Sequence, residues 1–197
     1  MWLMAYLLGS ISFAVVASWL FKLPDPRTYG SKNPGATNVL RSGKKAAAVL
    51  TLAGDTGKGW LAVVLVSYFS LIWGLGNEAV AGAAIAVFLG HLFPIFLGFS
   101  GGKGVATSAG VLLGLDLWLG LLVILTWILV AMIWRISSLS ALIAALLAPI
   151  YAYFLLDSEI NILAISTISL LLFWRHKSNI INLIAGRERR IGEKSKS

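Results

Sequence analysis

The residues of this 197-residue chain best suited to chemistry are cations and hydrogen-bond donors set among glycines. Lys103 stands in Gly101-Gly102-Lys103-Gly104. Glycines let a backbone turn tightly and approach a ligand with no Cβ in the way. Their N–H groups at a helix start form a nest for anions, and the lysine adds a mobile point charge. A second polar stretch runs from Tyr29 to Arg41. Asn33 followed by Pro34 reads as an N-cap with proline at the first helical position, predicting a helix from near Gly35 past Lys45. Its first turn would offer free N–H groups and a positive dipole end. Ser31, Thr37 and Asn38 add donors, and Arg41 adds a bidentate fork one turn later. The competing reading is an interfacial helix held on acidic lipid by Lys44 and Lys45. The third stretch is Arg175-His176-Lys177-Ser178-Asn179, followed by Glu188. His176 and Asn179 share a face if the helix continues. Histidine serves as acid, base or donor near neutral pH. Glu188 is placed to clamp a basic loop, although the basic cluster alone also fits a stop-transfer anchor.

This inventory is one-sided. Paired carboxylates are missing, so metal ligation and glycosidase chemistry fit poorly. There is no G-x-S-x-G elbow, and the absence of cysteine removes disulfides, thiolate zinc sites and a cysteine nucleophile. Gly54-Asp55-Thr56-Gly57-Lys58-Gly59 lacks the Walker spacing and no strand precedes it, which argues against a nucleotide site. One reading has Asp55 capping the second span and pairing with Lys58, and the other has the stretch helping to shape the site; either way an acid at a membrane helix start needs a partner. His91, placed well inside its helix, reads as a packing or hydrogen-bonding residue. A site of this kind binds phosphate, stabilises developing negative charge and needs an already activated substrate.

The elements that must position these residues cross a membrane. Hydrophobic residues make up 58% of the chain and charged residues 12%, with a mean hydropathy of +0.87. That leaves too little polar surface for water. The net charge of +8 would suggest nucleic acid in a soluble protein. Here it is better read as basic loops holding one side of a bilayer, with no nucleic-acid partner. Apolar runs lie at Met1–Phe21, Trp60–Trp73, Ala79–Gly98, Val105–Ile133, Ser138–Leu156 and Ile160–Trp174. The first has Lys22 after it and no basic residue before it, the reverse of a signal peptide, and is read as an uncleaved helix. With residues 22–45 inside, Lys103, Arg135 and everything from Arg175 onward must also be inside, while Glu78, Asp157 and Glu159 fall outside. The run from Val105 must therefore turn near Asp116, giving a short helix over 105–114 and another from Leu117. The prediction is an all-α integral membrane protein: one polytopic domain over 1–197, seven transmembrane helices (one short), N-terminus outside and C-terminus cytoplasmic. The motif loops near 22–45, 98–104 and 175–190 share the inner face. All tryptophans except Trp127 fall near predicted span ends, as an aromatic belt requires. The tail Arg189–Ser197 reads as a solvated charged end.

Gly30-Ser31-Lys32-Asn33-Pro34-Gly35-Ala36-Thr37-Asn38 with Arg41, Gly101–Gly104, and Arg175–Asn179 with Gly186 and Glu188 resemble the three cytoplasmic motifs of the PlsY family of bacterial membrane acyltransferases. The similarity runs from the first span through Glu188. Lys32 stands where many relatives have glycine, and Lys177 where many have arginine. The resemblance implies transfer of a fatty acyl group from acyl phosphate to the 1-hydroxyl of glycerol 3-phosphate. The products would be lysophosphatidic acid and inorganic phosphate, the first acylation step of phospholipid synthesis, made at the cytoplasmic side of the bacterial inner membrane without a cofactor. On that reading Lys103 with Gly101, Gly102 and Gly104 holds one phosphate and the reacting carbonyl. Ser31, Arg41 and the donors around Asn33, Gly35, Thr37 and Asn38 hold the other. His176 and Asn179 orient glycerol 3-phosphate, Glu188 supports them, and the acyl chain lies between helices. The proton acceptor is open between His176 and a substrate phosphate. Competing classes are an organic-anion transporter, against which the polar residues gather at one face and not the midplane, and a non-catalytic lipid-binding scaffold.

Overall fold

The computed structural model describes residues 1–192, and the last five residues of the charged tail lie outside them. The described chain is helical: α1 (Trp2–Gly9), α2 (Phe13–Leu20), α3 (Ala36–Leu40), α4 (Lys45–Trp73), α5 (Asn77–Leu92), α6 (Val105–Leu115), α7 (Leu117–Trp134), α8 (Ser137–Leu155), α9 (Glu159–Arg175) and α10 (Lys177–Ile184). By length and composition, four elements can cross a membrane: α4, α5 with its 3-10 extension to Leu97, α7 and α8. α1 and α2 together make a fifth candidate, bent by 40°. α6 has 11 residues and α9 has 17, so each is shorter than a full apolar span.

The expected turn at Asp116 is present. Its carboxylate caps α7 by accepting the Leu119 N–H at 2.8 Å, which separates α6 from α7 as the charge pattern requires. Three boundaries differ from expectation. The first apolar run is not one helix, because Ser12 is extended and starts α2 afresh. The helix predicted from near Gly35 past Lys45 begins there, after Gly35, but ends at Leu40. Gly43, in the left-handed region at φ +84, interrupts the chain before α4. α4 then starts at Lys45, so Gly54–Gly59 lies inside it and starts no helix.

The break in the first run explains the buried charges. Backbone polar groups freed inside an apolar medium must find partners. Lys58 Nζ donates to the Ile11 carbonyl at 2.6 Å, and the Phe13 N–H points at Asp55 Oδ1 at 3.5 Å. Asp55 and Lys58 pair at 2.8 Å, both side chains about 1% exposed. Asp55 therefore pairs as expected but does not cap its own helix; it faces the first N–H of α2 instead.

Small residues set the helix spacing. A Cβ on Gly9 would lie 2.1 Å from the Val87 carbonyl, and one on Gly90 2.2 Å from that of Tyr6, so α1 and α5 touch backbone to backbone. Gly59 and Gly110 do the same for α4 and α6. Such small-residue seams substitute for the hydrophobic driving force that lipid removes. Phe88, Leu92, Val63, Val87 and Val111 fill the space around them.

Candidate active site

The three polar stretches converge at one end of the bundle around a cavity of ≈510 Å³. Ser31, Lys32, Asn33 and Pro34 form one wall, Phe99 to Gly101 with Lys103 a second, and Trp174, Arg175, Lys177 and Ser178 a third, while His176 is buried behind it. Five cations face it: Arg27, Lys32, Lys103, Arg175 and Lys177. Such a concentration of positive charge beside apolar Phe99 and Trp174 suits an anionic headgroup with an apolar tail.

The first wall is held by its own side chains. Asn38 is buried, and its amide donates to the carbonyls of Pro26 (2.7 Å) and Tyr29 (3.2 Å), while Oδ1 accepts the Ser31 N–H at 2.9 Å. Asn38, expected as a phosphate donor, is thus spent on the loop that presents Ser31. Lys32 adopts φ +56, where glycine is at ease. Thr37 is exposed and its hydroxyl lies 3.2 Å from Ser137 Oγ. Arg41 reaches Asn38 Oδ1 at 3.5 Å and does not line the cavity.

In the second wall, glycine is required by close approach. A Cβ on Gly101 would lie 2.1 Å from the His91 carbonyl, one on Gly102 2.2 Å from His91 Nε2, and one on Gly104 2.2 Å from the Phe88 ring. Gly104, at φ +88, starts α6 directly after Lys103. The glycine nest differs from expectation: the Gly102 N–H donates back to the His91 carbonyl at 3.2 Å and is not free for a ligand. The loop's carbonyls are taken as well. Arg175 donates to Gly101 O at 2.8 Å and Gly102 O at 3.2 Å, with its guanidinium 5.9 Å from the centre of the Phe93 ring. Sequence reasoning gave Arg175 no individual role, and its only signal was membership of the third stretch.

The third stretch supplies the partner of Lys103. The helix does not continue evenly there, because His176 both ends α9 and starts α10. Lys103 Nζ donates to Asn179 Oδ1. Asn179 Nδ2 donates to Glu188 Oε1 at 2.6 Å, which also accepts the Ser138 hydroxyl at 2.8 Å. Glu188 holds the amide so that its oxygen faces the lysine. The segment carrying Glu188 is tied down beyond it, where the Ile191 N–H donates to the Arg135 carbonyl at 2.6 Å. Ser137 and Ser138 escaped the sequence reading, since two serines beside Arg135 look like an ordinary helix start.

Electrostatics separate the two titratable groups. Burial pushes the Lys103 ammonium below its usual range, Glu188 opposes this, and the charges of Arg175 and Arg41 reinforce it. His176 is buried, and burial pushes it down to about 4, with the Leu172 carbonyl opposing and Lys103 reinforcing. His176 Nδ1 lies 2.8 Å from Leu172 O. A carbonyl only accepts, so Nδ1 carries the proton and Nε2 keeps a lone pair. Among the described residues no group of three His, Asp or Glu side chains could hold a metal ion.

A model of the glycerol-3-phosphate acyltransferase family matches residues 1–186. The chain belongs to this family. It is 71% identical to the glycerol-3-phosphate acyltransferase of Nitrosomonas eutropha over 191 residues, covering 97% of this chain and 96% of the relative. It is 65% identical to that of Nitrosospira multiformis, covering 98% and 96%. Among solved structures it resembles the crystal structure of PlsY, an integral membrane glycerol 3-phosphate acyltransferase, in its glycerol 3-phosphate form. The TM-score is 0.89 at 35% identity, covering 97% of this chain and 94% of that one. The lysophosphatidic acid form of the same enzyme matches at 0.87 and 34%, covering 97% and 93%. The family expected from the three motifs is therefore the family found.

Proposed function

We propose that this protein transfers a fatty acyl group from acyl phosphate to the 1-hydroxyl of glycerol 3-phosphate, releasing inorganic phosphate and leaving lysophosphatidic acid in the membrane. The observation that carries the reading is Lys103, a partly buried ammonium in a cationic cavity, aimed by an asparagine that a carboxylate holds in place. Family membership and the glycerol 3-phosphate and lysophosphatidic acid forms of the solved neighbour support the acceptor and the product. The acyl phosphate donor rests on chemistry. A site of donors and cations with no nucleophile must be handed an activated acyl group, and a mixed anhydride with phosphoric acid is one whose leaving group these cations fit.

The acceptor hydroxyl attacks the carbonyl carbon, the new C–O bond forms, and the bond from that carbon to the phosphate oxygen breaks with its electron pair on phosphate. Lys103 and the free N–H groups of the α6 first turn stabilise the oxyanion and the departing phosphate. His176, neutral above about pH 4, is a weak base. Its Nε2 lone pair suits it to orient the hydroxyl, while the phosphate, with a second pKa near ~6, takes the proton. Seven crossings complete the reading, with α6 and α9 as short spans, one domain, the N-terminus outside and the site at the cytoplasmic face of the bacterial inner membrane, where Lys and Arg gather. The acyl chain lies between helices in the inner leaflet.

Purified protein is given palmitoyl phosphate with and without glycerol 3-phosphate, beside Lys103→Ala. Phosphate release that needs both substrates, yields lysophosphatidic acid and collapses in the variant is expected. Folded protein with no turnover would overturn the proposal, and trapping of labelled glycerol 3-phosphate inside vesicles would point to transport instead.

A further inference from the structure

His91 is buried at the end of α5, its penultimate residue and not deep inside the helix as its sequence position suggested. It touches the Gly101–Gly104 loop twice. Its carbonyl accepts the Gly102 N–H at 3.2 Å, and its ring nitrogen Nε2 occupies the space where a Gly102 Cβ would sit, 2.2 Å away. On its other side, Nδ1 faces Asp55 Oδ1 at 3.6 Å. That carboxylate is itself held by Lys58 at 2.8 Å, and Lys58 is anchored on the Ile11 carbonyl in the break of the first apolar run. The same broken run braces the strand of loop between His91 and Gly101. Tyr6 donates its hydroxyl to the Phe93 carbonyl at 2.7 Å, and Ser10 Oγ lies 3.5 Å from the Ile95 N–H.

These contacts form one column: the break at Ile11, the Asp55–Lys58 pair, the His91 ring, the Gly102 backbone, then Lys103. A buried ion pair contributes little net stability compared with a well-packed apolar substitute, and ionisable groups within an apolar bundle are costly to retain. At 3.6 Å the pair makes no hydrogen bond to Nδ1, but it bounds the side of the imidazole away from the loop. The imidazole in turn sets the height of a loop whose glycines leave it no side-chain packing of its own. The loop is gripped from the opposite side by Arg175 on the Gly101 and Gly102 carbonyls. A cation that must meet a phosphate to within a fraction of an ångström needs a floor as well as a clamp.

We propose that His91, backed by the Asp55–Lys58 pair, is a positioning residue of the phosphate site: it sets the Gly101–Gly102 backbone and thereby the reach of Lys103. It touches no reacting atom. The proposal rests on the acyltransferase reading and extends it to a residue outside the three motif stretches that line the cavity.

The test is a double-mutant cycle on the full-length protein in a bilayer mimic, reading phosphate release, inhibition by inorganic phosphate and thermal unfolding. His91→Leu is expected to lower kcat/KM by about 10- to 100-fold, as a loop shift near 1 Å does, and to weaken inhibition by inorganic phosphate. His91→Gln, whose amide reaches the Nε2 position, should recover to within about 3-fold, a rescue that bulk packing does not predict. In a Lys103→Ala background, His91→Leu should cost less than about 3-fold, because the two act through one element. If His91→Leu does not fold, Gly102→Ala disturbs the same contact from the loop side and must reproduce the loss. Full activity in folded His91→Leu or in Gly102→Ala overturns the proposal. So does an unchanged penalty for His91→Leu in the Lys103→Ala background. A wild-type protein with no turnover would instead count against the acyltransferase reading.

Discussion

Glu188→Gln isolates the charge from the shape of the network that aims Lys103. Glu188 Oε1 accepts from both Ser138 and Asn179, at 2.8 and 2.6 Å, and a glutamine oxygen can accept both, but without the charge. Hydrogen bonds to charged groups contribute roughly 1.5–3 kcal/mol each. Glu188 is only half-buried, and both bonds can re-form to a neutral oxygen at roughly 0.5–1.5 kcal/mol each, so about 1–2 kcal/mol of the positioning of Asn179 and Lys103 is expected to be lost. That corresponds to a fall of roughly 5- to 30-fold in kcat/KM. The pH dependence carries a sign as well. Glu188 is the charge that raises the Lys103 pKa against burial, Arg175 and Arg41. Without it Lys103 loses its proton at lower pH, so the alkaline limb of the rate profile moves down. The assay is phosphate release from palmitoyl phosphate and glycerol 3-phosphate across the alkaline range, with Lys103→Arg as a comparator whose charge does not titrate. An alkaline limb in Glu188→Gln that coincides with the wild-type limb would refute the assignment of Lys103 as the titrating cation.

Four further outcomes follow from the same geometry. His176→Gln should keep turnover within about 10-fold and act mainly through a higher KM for glycerol 3-phosphate, since a general base contributes roughly 10²–10⁴-fold. A loss of that larger size, with KM unchanged, would restore His176 as the base. Asp55→Leu or Lys58→Met alone should destabilise by roughly 3–5 kcal/mol by stranding the other charge, while the double variant loses less than the sum, which thermal unfolding in detergent can compare. Gly110→Ala would place a Cβ 1.9 Å from the Thr56 carbonyl. It should destabilise by about 1–3 kcal/mol as α4 and α6 are forced apart, whereas Gly57→Ala in the same helix, where a Cβ meets nothing, should not. Lys32→Val puts a β-branched residue at φ +56 and should cost roughly 1–3 kcal/mol, while Lys32→Gly leaves the fold intact; limited proteolysis of the 22–45 loop distinguishes the two.

Composition carried the class of this protein, because a chain so apolar has no other solvent than lipid. The turn at Asp116 was legible for the same reason, since an apolar run too long for one span had to be divided where an acid stood. The pairing of Asp55 with Lys58 was local, three residues apart on one helix, and so needed no tertiary knowledge. The three motifs were legible as residue types, and their resemblance named the family.

What those residues do to one another was decided only by the tertiary structure. Asn38 and the Gly102 N–H looked like ligand donors, but each had a backbone partner whose position depends on chain packing: Pro26 and Tyr29 for the amide, His91 for the glycine. The helix expected from near Gly35 to beyond Lys45 stopped at Leu40, because Gly43 takes a left-handed turn there and α4 begins on a new course. In the first apolar run, the backbone freed at the break between α1 and α2 meets Lys58 at Ile11 and Asp55 at Phe13, both more than forty residues away. Lys103 found Asn179 across 76 residues of sequence, and Glu188 found Ser138 across 50. Local sequence sets propensity and charge, which act over a few residues. A buried hydrogen bond is specified by whichever donor and acceptor packing brings within 3 Å, and that choice belongs to the assembled bundle.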